Sequence, residues 1–168
     1  MTVYTTMDSP LGELLLVGEP SRTAPGGVAL TSLSMPGQRG AVAIRDEWVS
    51  DAAAFAAIGA QLRAYFAGES TPFDIEFTSA GSEFQQRVWR ALDAIPYGET
   101  VSYGELTARI GAPRERVRAV AGAIGANPLL VVRPCHRVIG ANGALTGYAG
   151  GLERKQKLLE LENVLLAV

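Results

Sequence analysis

The chain contains one cysteine and one histidine, and they are adjacent, in Pro134-Cys135-His136-Arg137-Val138. A thiol attacks carbon as its thiolate, and an unperturbed cysteine, with a pKa of about 8.5, carries little thiolate at neutral pH. A proton acceptor beside the sulfur is therefore required, and His136 is of the right type. Adjacent side chains often diverge, so a water relaying the proton and a carboxylate holding the imidazole would complete the arrangement; the residue pattern alone does not say which carboxylate. The competing reading is an inert buried thiol next to a core histidine. Chemistry is favoured because a rigid proline precedes the pair and because the pair follows an element suited to DNA. One Cys and one His exclude a disulfide framework and a Cys/His zinc cluster, so no metal is expected; no cofactor is expected either.

The element before the cysteine is a pair of short helices. Ser102-x-x-Glu105 is a capping box opening a helix to Ile110, Gly111-Ala112-Pro113 breaks it, and a third helix is predicted from about Arg114 to Ala126. After Arg118 nearly every residue of that helix is small, including Gly122 and Gly125. A glycine inside a helix costs roughly 1 kcal/mol relative to alanine, so a close approach of backbone to something, another helix or DNA, would explain the choice. Arg118, at its head, is a candidate to contact phosphate or to fill a gap in a base stack. Asn127-Pro128 ends the helix, and Leu129 to Val132 reads as a buried strand-like run delivering Cys135. Downstream, Gly147-Tyr148-Ala149-Gly150-Gly151 is a glycine-rich loop that would let backbone donors and the Tyr148 hydroxyl approach a planar ligand, and Leu152 to Leu161 closes as an amphipathic helix.

The first half reads differently. Val3 to Thr6 and Leu14 to Val17 flank Ser9-Pro10-Leu11-Gly12 as a hairpin, Val28 to Met35 and Phe73 to Phe77 read as strands, and Asp51 caps a helix to about Ala67. Ser82-x-x-Gln85, a second capping box, opens the helix that Pro96-Tyr97-Gly98 ends and marks a boundary between domains 1–80 and 81–168. Charge divides at the same place. Residues 1–84 carry four Arg against ten acids, whereas residues 85–168 carry eleven Arg or Lys against seven acids. A nucleic-acid surface, if present, belongs to the second half. No apolar run approaches the roughly 20 residues needed to span a bilayer, and the polar start does not read as a secretory signal; a soluble cytoplasmic protein is expected, without a membrane partner.

From Phe84 to Glu162 the sequence resembles the methylated-DNA–protein-cysteine methyltransferases, or O6-alkylguanine-DNA alkyltransferases. The resemblance lies in Pro134-Cys135-His136-Arg137-Val138-Ile139-Gly140, in Gly147-Tyr148-x-Gly150-Gly151-Leu152-x-x-Lys155, and in Ile95-Pro96-x-Gly98-x-x-x-x-Tyr103 with Arg118-Ala119-Val120. It implies an α+β chain: an N-terminal mixed α/β, ribonuclease H-like scaffold followed by a mainly helical domain with a helix-turn-helix. It further implies a suicide transfer of alkyl from O6-alkylguanine in double-stranded DNA to Cys135, with His136 as water-mediated base and Glu162 orienting it. Tyr148 would donate to the guanine, and Asn127 would brace the turn. Arg118, Ala119, Gly122 and Ala123 would enter the minor groove, with Arg118 replacing the flipped base and Tyr103 pushing the phosphate. Val138, Ala149, Gly150 and Gly151 would line the substrate loop. A monomer is expected, with cooperative loading on DNA left open. Arg133 stands where the family usually has an apolar residue, and Ile124 and Ala126 also depart from the usual pattern of the DNA-facing helix. Three rivals are a thiol hydrolase, which would turn over without DNA, a non-catalytic lesion sensor, against which Cys135 argues, and a plain DNA-binding regulator, indifferent to loss of Cys135.

Overall fold

The computed structural model describes residues 1–69 and 72–164. The chain divides into two compact units, Met1–Ser79 and Ala80–Val168, and the fold is α+β. Among the described residues, no helix is long and apolar enough to cross a membrane.

The first unit is a four-stranded mixed sheet with one helix. Strands β1 (Val3–Met7) and β2 (Leu14–Pro20) form the expected antiparallel hairpin. Its turn is closed where Ser9 O accepts from Gly12 N at 3.0 Å and Ser9 Oγ from Leu11 N at 3.1 Å. Strand β3 (Val28–Ser34) pairs antiparallel with β2, and the short β4 (Val49–Ser50) pairs parallel with β1, giving the order β3-β2-β1-β4. Asp51 Oδ1 accepts from Ala54 N at 3.2 Å at the head of a 3₁₀ turn that runs into α1 (Ala56–Phe66). The side chains of Leu14, Leu16, Leu30, Leu33 and Leu62 are fully buried, as a two-layer core requires.

Phe73 to Phe77 is not a strand. Only Phe77 bridges Leu30, while the Gln61 side chain of α1 takes the backbone of Asp74 through its Oε1 (2.7 Å from Asp74 N) and its Nε2 (2.9 Å from Asp74 O). A side-chain amide has captured the groups that a ladder would need.

The second unit holds α2 (Glu83–Asp93), β5 (Val101–Ser102), α3 (Tyr103–Arg109), α4 (Val117–Gly125), β6 (Val138–Ile139) and α5 (Leu152–Leu161). Both capping boxes form: Ser82 Oγ accepts from Gln85 N and Ser102 Oγ from Glu105 N, with the Gln85 and Glu105 side chains returning to the cap nitrogens. Each satisfies two donors that a helix start leaves orphaned. Helices α3 and α4 are the two arms of the helix-turn-helix, joined through Gly111 at φ 73° and a 3₁₀ turn, Arg114–Arg116. Strand β5 pairs parallel with β6, Val101 opposite Val138 and Ser102 opposite Ile139. That ladder ties the start of α3 to the residues that leave the cysteine turn.

Candidate active site

Leu129 to Val132 is buried as expected, but it is a knot of turns and not a strand. Val132 N donates to Leu130 O at 2.8 Å, Arg133 N to Leu129 O at 2.9 Å and Cys135 N to Arg133 O at 2.8 Å. Val131 sits at φ 71°, in the left-handed region that a β-branched residue seldom adopts. Such a conformation persists only where the surroundings over-determine it, and it folds the chain back to present Cys135 at the head of a 3₁₀ turn, Cys135–Arg137.

Asn127 is the clamp of this knot. Its Oδ1 accepts from Leu129 N at 3.0 Å, and its Nδ2 lies 3.4 Å from Leu129 O, 3.3 Å from Arg133 O and 3.2 Å from Cys135 Sγ. The amide thus donates to the sulfur while gripping both ends of the turn. Cys135 is 4 % exposed, and burial pushes its thiol up to about 11, against the opposing pull of the Asn127 donor and of the cations of Lys155 and Arg133. The resting group is a thiol, so the proton has to leave as the sulfur reacts, and the acceptor that the sequence calls for has to take it in that step.

The base that would take it is built next door. His136 is fully buried, and its Nε2 lies 2.7 Å from Glu162 Oε2. Glu162 is itself held by Arg137, whose Nε donates to Oε1 at 2.7 Å and whose Nη2 donates to Oε2 at 3.0 Å. The third arm of that guanidinium, Nη1, donates to Ile95 O at 2.6 Å. A carboxylate engaged this way can only accept, so the imidazole carries its hydrogen on Nε2 and leaves the lone pair on Nδ1. Nδ1 is buried and has no hydrogen-bond partner among the described residues. Desolvation drives the His136 pKa below the ordinary histidine value, and the hydrogen bond that its Nε2 donates to Glu162 only partly opposes it. The ring is therefore a neutral base with its free nitrogen uncommitted. The role of Arg137 was not read from the sequence; the motif contains it, but an arginine that completes a buried carboxylate gives no local signal.

The glycine-rich loop is clamped from two sides. Lys155, fully buried on α5, donates from Nζ to Thr146 O at 2.7 Å and Gly147 O at 3.0 Å, and Tyr103 Oη donates to Thr146 O at 2.8 Å. Tyr148 is half-buried on that loop with its hydroxyl enclosed, Ala149 is half-buried, Gly150 is buried and Gly151 is exposed. Val138 is fully buried in β6. Burial lowers Lys155 to about 8.

Along α4, Arg118 and Gly122 are exposed and Ala119 is half-buried, whereas Ala123 is only 5 % exposed and its carbonyl accepts from Trp89 Nε1 at 2.9 Å. Helical period puts Val120, Ala123 and Ile124 on the inner face, so Ala123 does not share the outward face with Gly122; Ala121, Gly125 and Ala126 do. A Cβ built on Gly122 or on Gly125 would meet nothing within 4 Å. Packing within the chain therefore does not require either glycine.

Comparison with known proteins places these features in a family. Residues 83–164 match the model described as "6-O-methylguanine DNA methyltransferase, DNA binding domain", and residues 2–78 match "6-O-methylguanine DNA methyltransferase, ribonuclease-like domain". The methylated-DNA–protein-cysteine methyltransferase of Mycolicibacterium paratuberculosis is 55 % identical over 162 residues, covering 96 % of this chain and 93 % of the relative. The protein of the same name from Methanosarcina acetivorans is 45 % identical over 159 residues, covering 95 % and 97 %. The crystal structure of Mycobacterium tuberculosis OGT in complex with DNA superposes with a TM-score of 0.84 at 52 % identity, covering 95 % of this chain and 92 % of that one.

Proposed function

The chain belongs to the 6-O-methylguanine DNA methyltransferases, and we propose that it repairs duplex DNA by moving the alkyl group of O6-alkylguanine onto Cys135, once per molecule. The observation that carries this reading is the buried relay: the thiol is followed in the chain by a neutral imidazole whose Nε2 is backed by Glu162 and Arg137 and whose Nδ1 has no partner among the described residues. In the reaction the thiol proton passes to His136 Nδ1, directly or across one bridging water. The sulfur forms a bond to the alkyl carbon, and the bond from that carbon to guanine O6 breaks. The electron pair goes to the purine, which takes a proton from the Tyr148 hydroxyl as charge develops, and the proton taken up by His136 makes good that loss, so the site ends with the charge it began with. The products are S-alkylcysteine and guanine. A thioether has no ready route back to a thiol, so no second cycle follows.

The base must leave the stack to reach a buried sulfur, at a cost of a few kcal/mol. Arg118 fills the gap, Tyr103 presses on the phosphate, and the exposed face of α4 enters the minor groove, where its small residues let backbone approach sugar and phosphate. The open space around Gly122 supports this assignment over a packing role. Replacing Gly122 with alanine is then expected to raise thermal stability slightly, by up to about 1 kcal/mol, while weakening duplex binding severalfold; melting curves and fluorescence anisotropy check both, and a loss of stability with unchanged binding contradicts it. We place the reaction in the cytoplasm, with one copy of the chain per lesion; cooperative loading is read from the shape of the DNA-binding isotherm.

The pH dependence follows from the two directions above. The base form of His136 persists below the ordinary value of about 6.5 because its pKa is depressed, so the acid limb of the transfer rate falls below that pH. Single-turnover rates measured across pH 5 to 9, spanning roughly the histidine range on both sides, are expected to have no midpoint between 6.5 and 8. The reading as a whole is tested by stoichiometry: methyl removed from excess O6-methylguanine duplex reaches a plateau equal to the protein added. Continued release beyond one equivalent overturns it in favour of a hydrolase.

A further inference from the structure

Arg133 precedes Pro134 and is only 3 % exposed, an unusual place for a cation. Its Nε lies 3.2 Å from Asp93 Oδ1 at the end of α2, and its guanidinium sits 5.0 Å from the centroid of the Trp89 ring. Trp89 is fixed in turn by its hydrogen bond to Ala123 O on α4 and by Gly81, where a Cβ would come within 2.7 Å of the ring. On its inner side, Nη1 lies 3.5 Å from Asn127 Oδ1, the other end of the amide whose Nδ2 contacts the sulfur.

We propose that Arg133 is a positioning residue for the reacting sulfur: anchored by Asp93 and Trp89, its guanidinium draws on the Asn127 carbonyl, fixes the amide with Nδ2 toward Cys135, and places positive charge behind the developing thiolate. The inference deepens the proposed alkyl transfer and rests on it. A cation at one end of an amide polarises it and strengthens the donor at the other end. Retaining the charge there has a desolvation cost, which the Asp93 carboxylate, one-third exposed, helps to offset. The other charged or titratable groups that act on the sulfur are Lys155 on α5 and Tyr103 on α3, and His136 is its neighbour in the chain. Lys155 is already committed to the loop carbonyls, whereas Arg133 acts through the residue that touches the sulfur.

Because Cys135 is the only cysteine, its reactivity can be read without DNA, from the rate at which the full-length chain gains one carboxamidomethyl group from iodoacetamide at neutral pH. Arg133→Val is expected to slow that rate about tenfold, the equivalent of roughly one unit in thiol pKa, and Arg133→Lys to restore most of it. Asp93→Asn, which removes the opposing charge and keeps the cation, is expected to speed it about twofold. A purely structural role predicts the reverse for Arg133→Val, since a loosened turn exposes the sulfur. Unchanged or faster alkylation in Arg133→Val, or unchanged or slower alkylation in Asp93→Asn should Arg133→Val fail to fold, overturns the assignment. Stoichiometric methyl transfer by the unaltered chain would still stand in that case, and its failure would leave these rates interpretable.

Discussion

Cys135→Ala abolishes alkyl transfer to the protein altogether while leaving the folded state and the affinity for duplex DNA nearly unchanged. The sulfur is the only thiol in the chain, so no other side chain can inherit the reaction. The substitution removes one small atom from a site that is 4 % exposed, and the Asn127 amide that donated to it keeps the carbonyls of Leu129 and Arg133 as acceptors. The expected stability loss is accordingly modest, about 1 kcal/mol. Methyl retention on the DNA together with normal binding by anisotropy checks both halves. Any residual removal of methyl rules out Cys135 as the acceptor, and a plain DNA-binding regulator would show no change at all.

Glu162→Gln has the second largest effect, on stability and rate together. Glu162 is 0 % exposed and is the anion that holds both the His136 imidazole and, in two hydrogen bonds, Arg137. A neutral amide leaves the guanidinium buried without its counter-charge, a change that typically costs about 3–5 kcal/mol. It also frees the imidazole to take the other tautomer, moving the lone pair away from the position a base requires, and general-base contributions of roughly 10²–10⁴ in rate are at stake. Denaturant unfolding and single-turnover transfer measure the two losses. A stability change below about 1 kcal/mol would show that the carboxylate does not sustain the relay.

Local signals in the sequence led to most of the frame. Both capping boxes, the opening hairpin and the helix break at Gly111 are decided by residues within a few positions of one another, and they form as expected. The adjacency of Cys135 and His136 marked the site for the same reason. What depends on distant partners was not legible. Glu162 meets His136 across 26 positions, and only the family resemblance pointed to it. Leu129 to Val132 has the apolar composition of a buried strand, but Asn127 and the left-handed Val131 turn it into a knot. Phe73 to Phe77 lost its ladder to the side chain of Gln61, and Ala123 proved to face inward because a stretch of small residues hides which side of a helix is buried. Arg133 departs from an apolar pattern, and only the placement of Asp93, Trp89 and Asn127 shows how the chain accommodates it.

After reaction with duplex DNA carrying O6-methylguanine, the mass of the peptide containing Cys135 is expected to rise by about 14 Da, one CH₂, in a fraction of molecules equal to the fraction of lesions removed. Lesions that disappear while this peptide keeps its original mass would contradict the account.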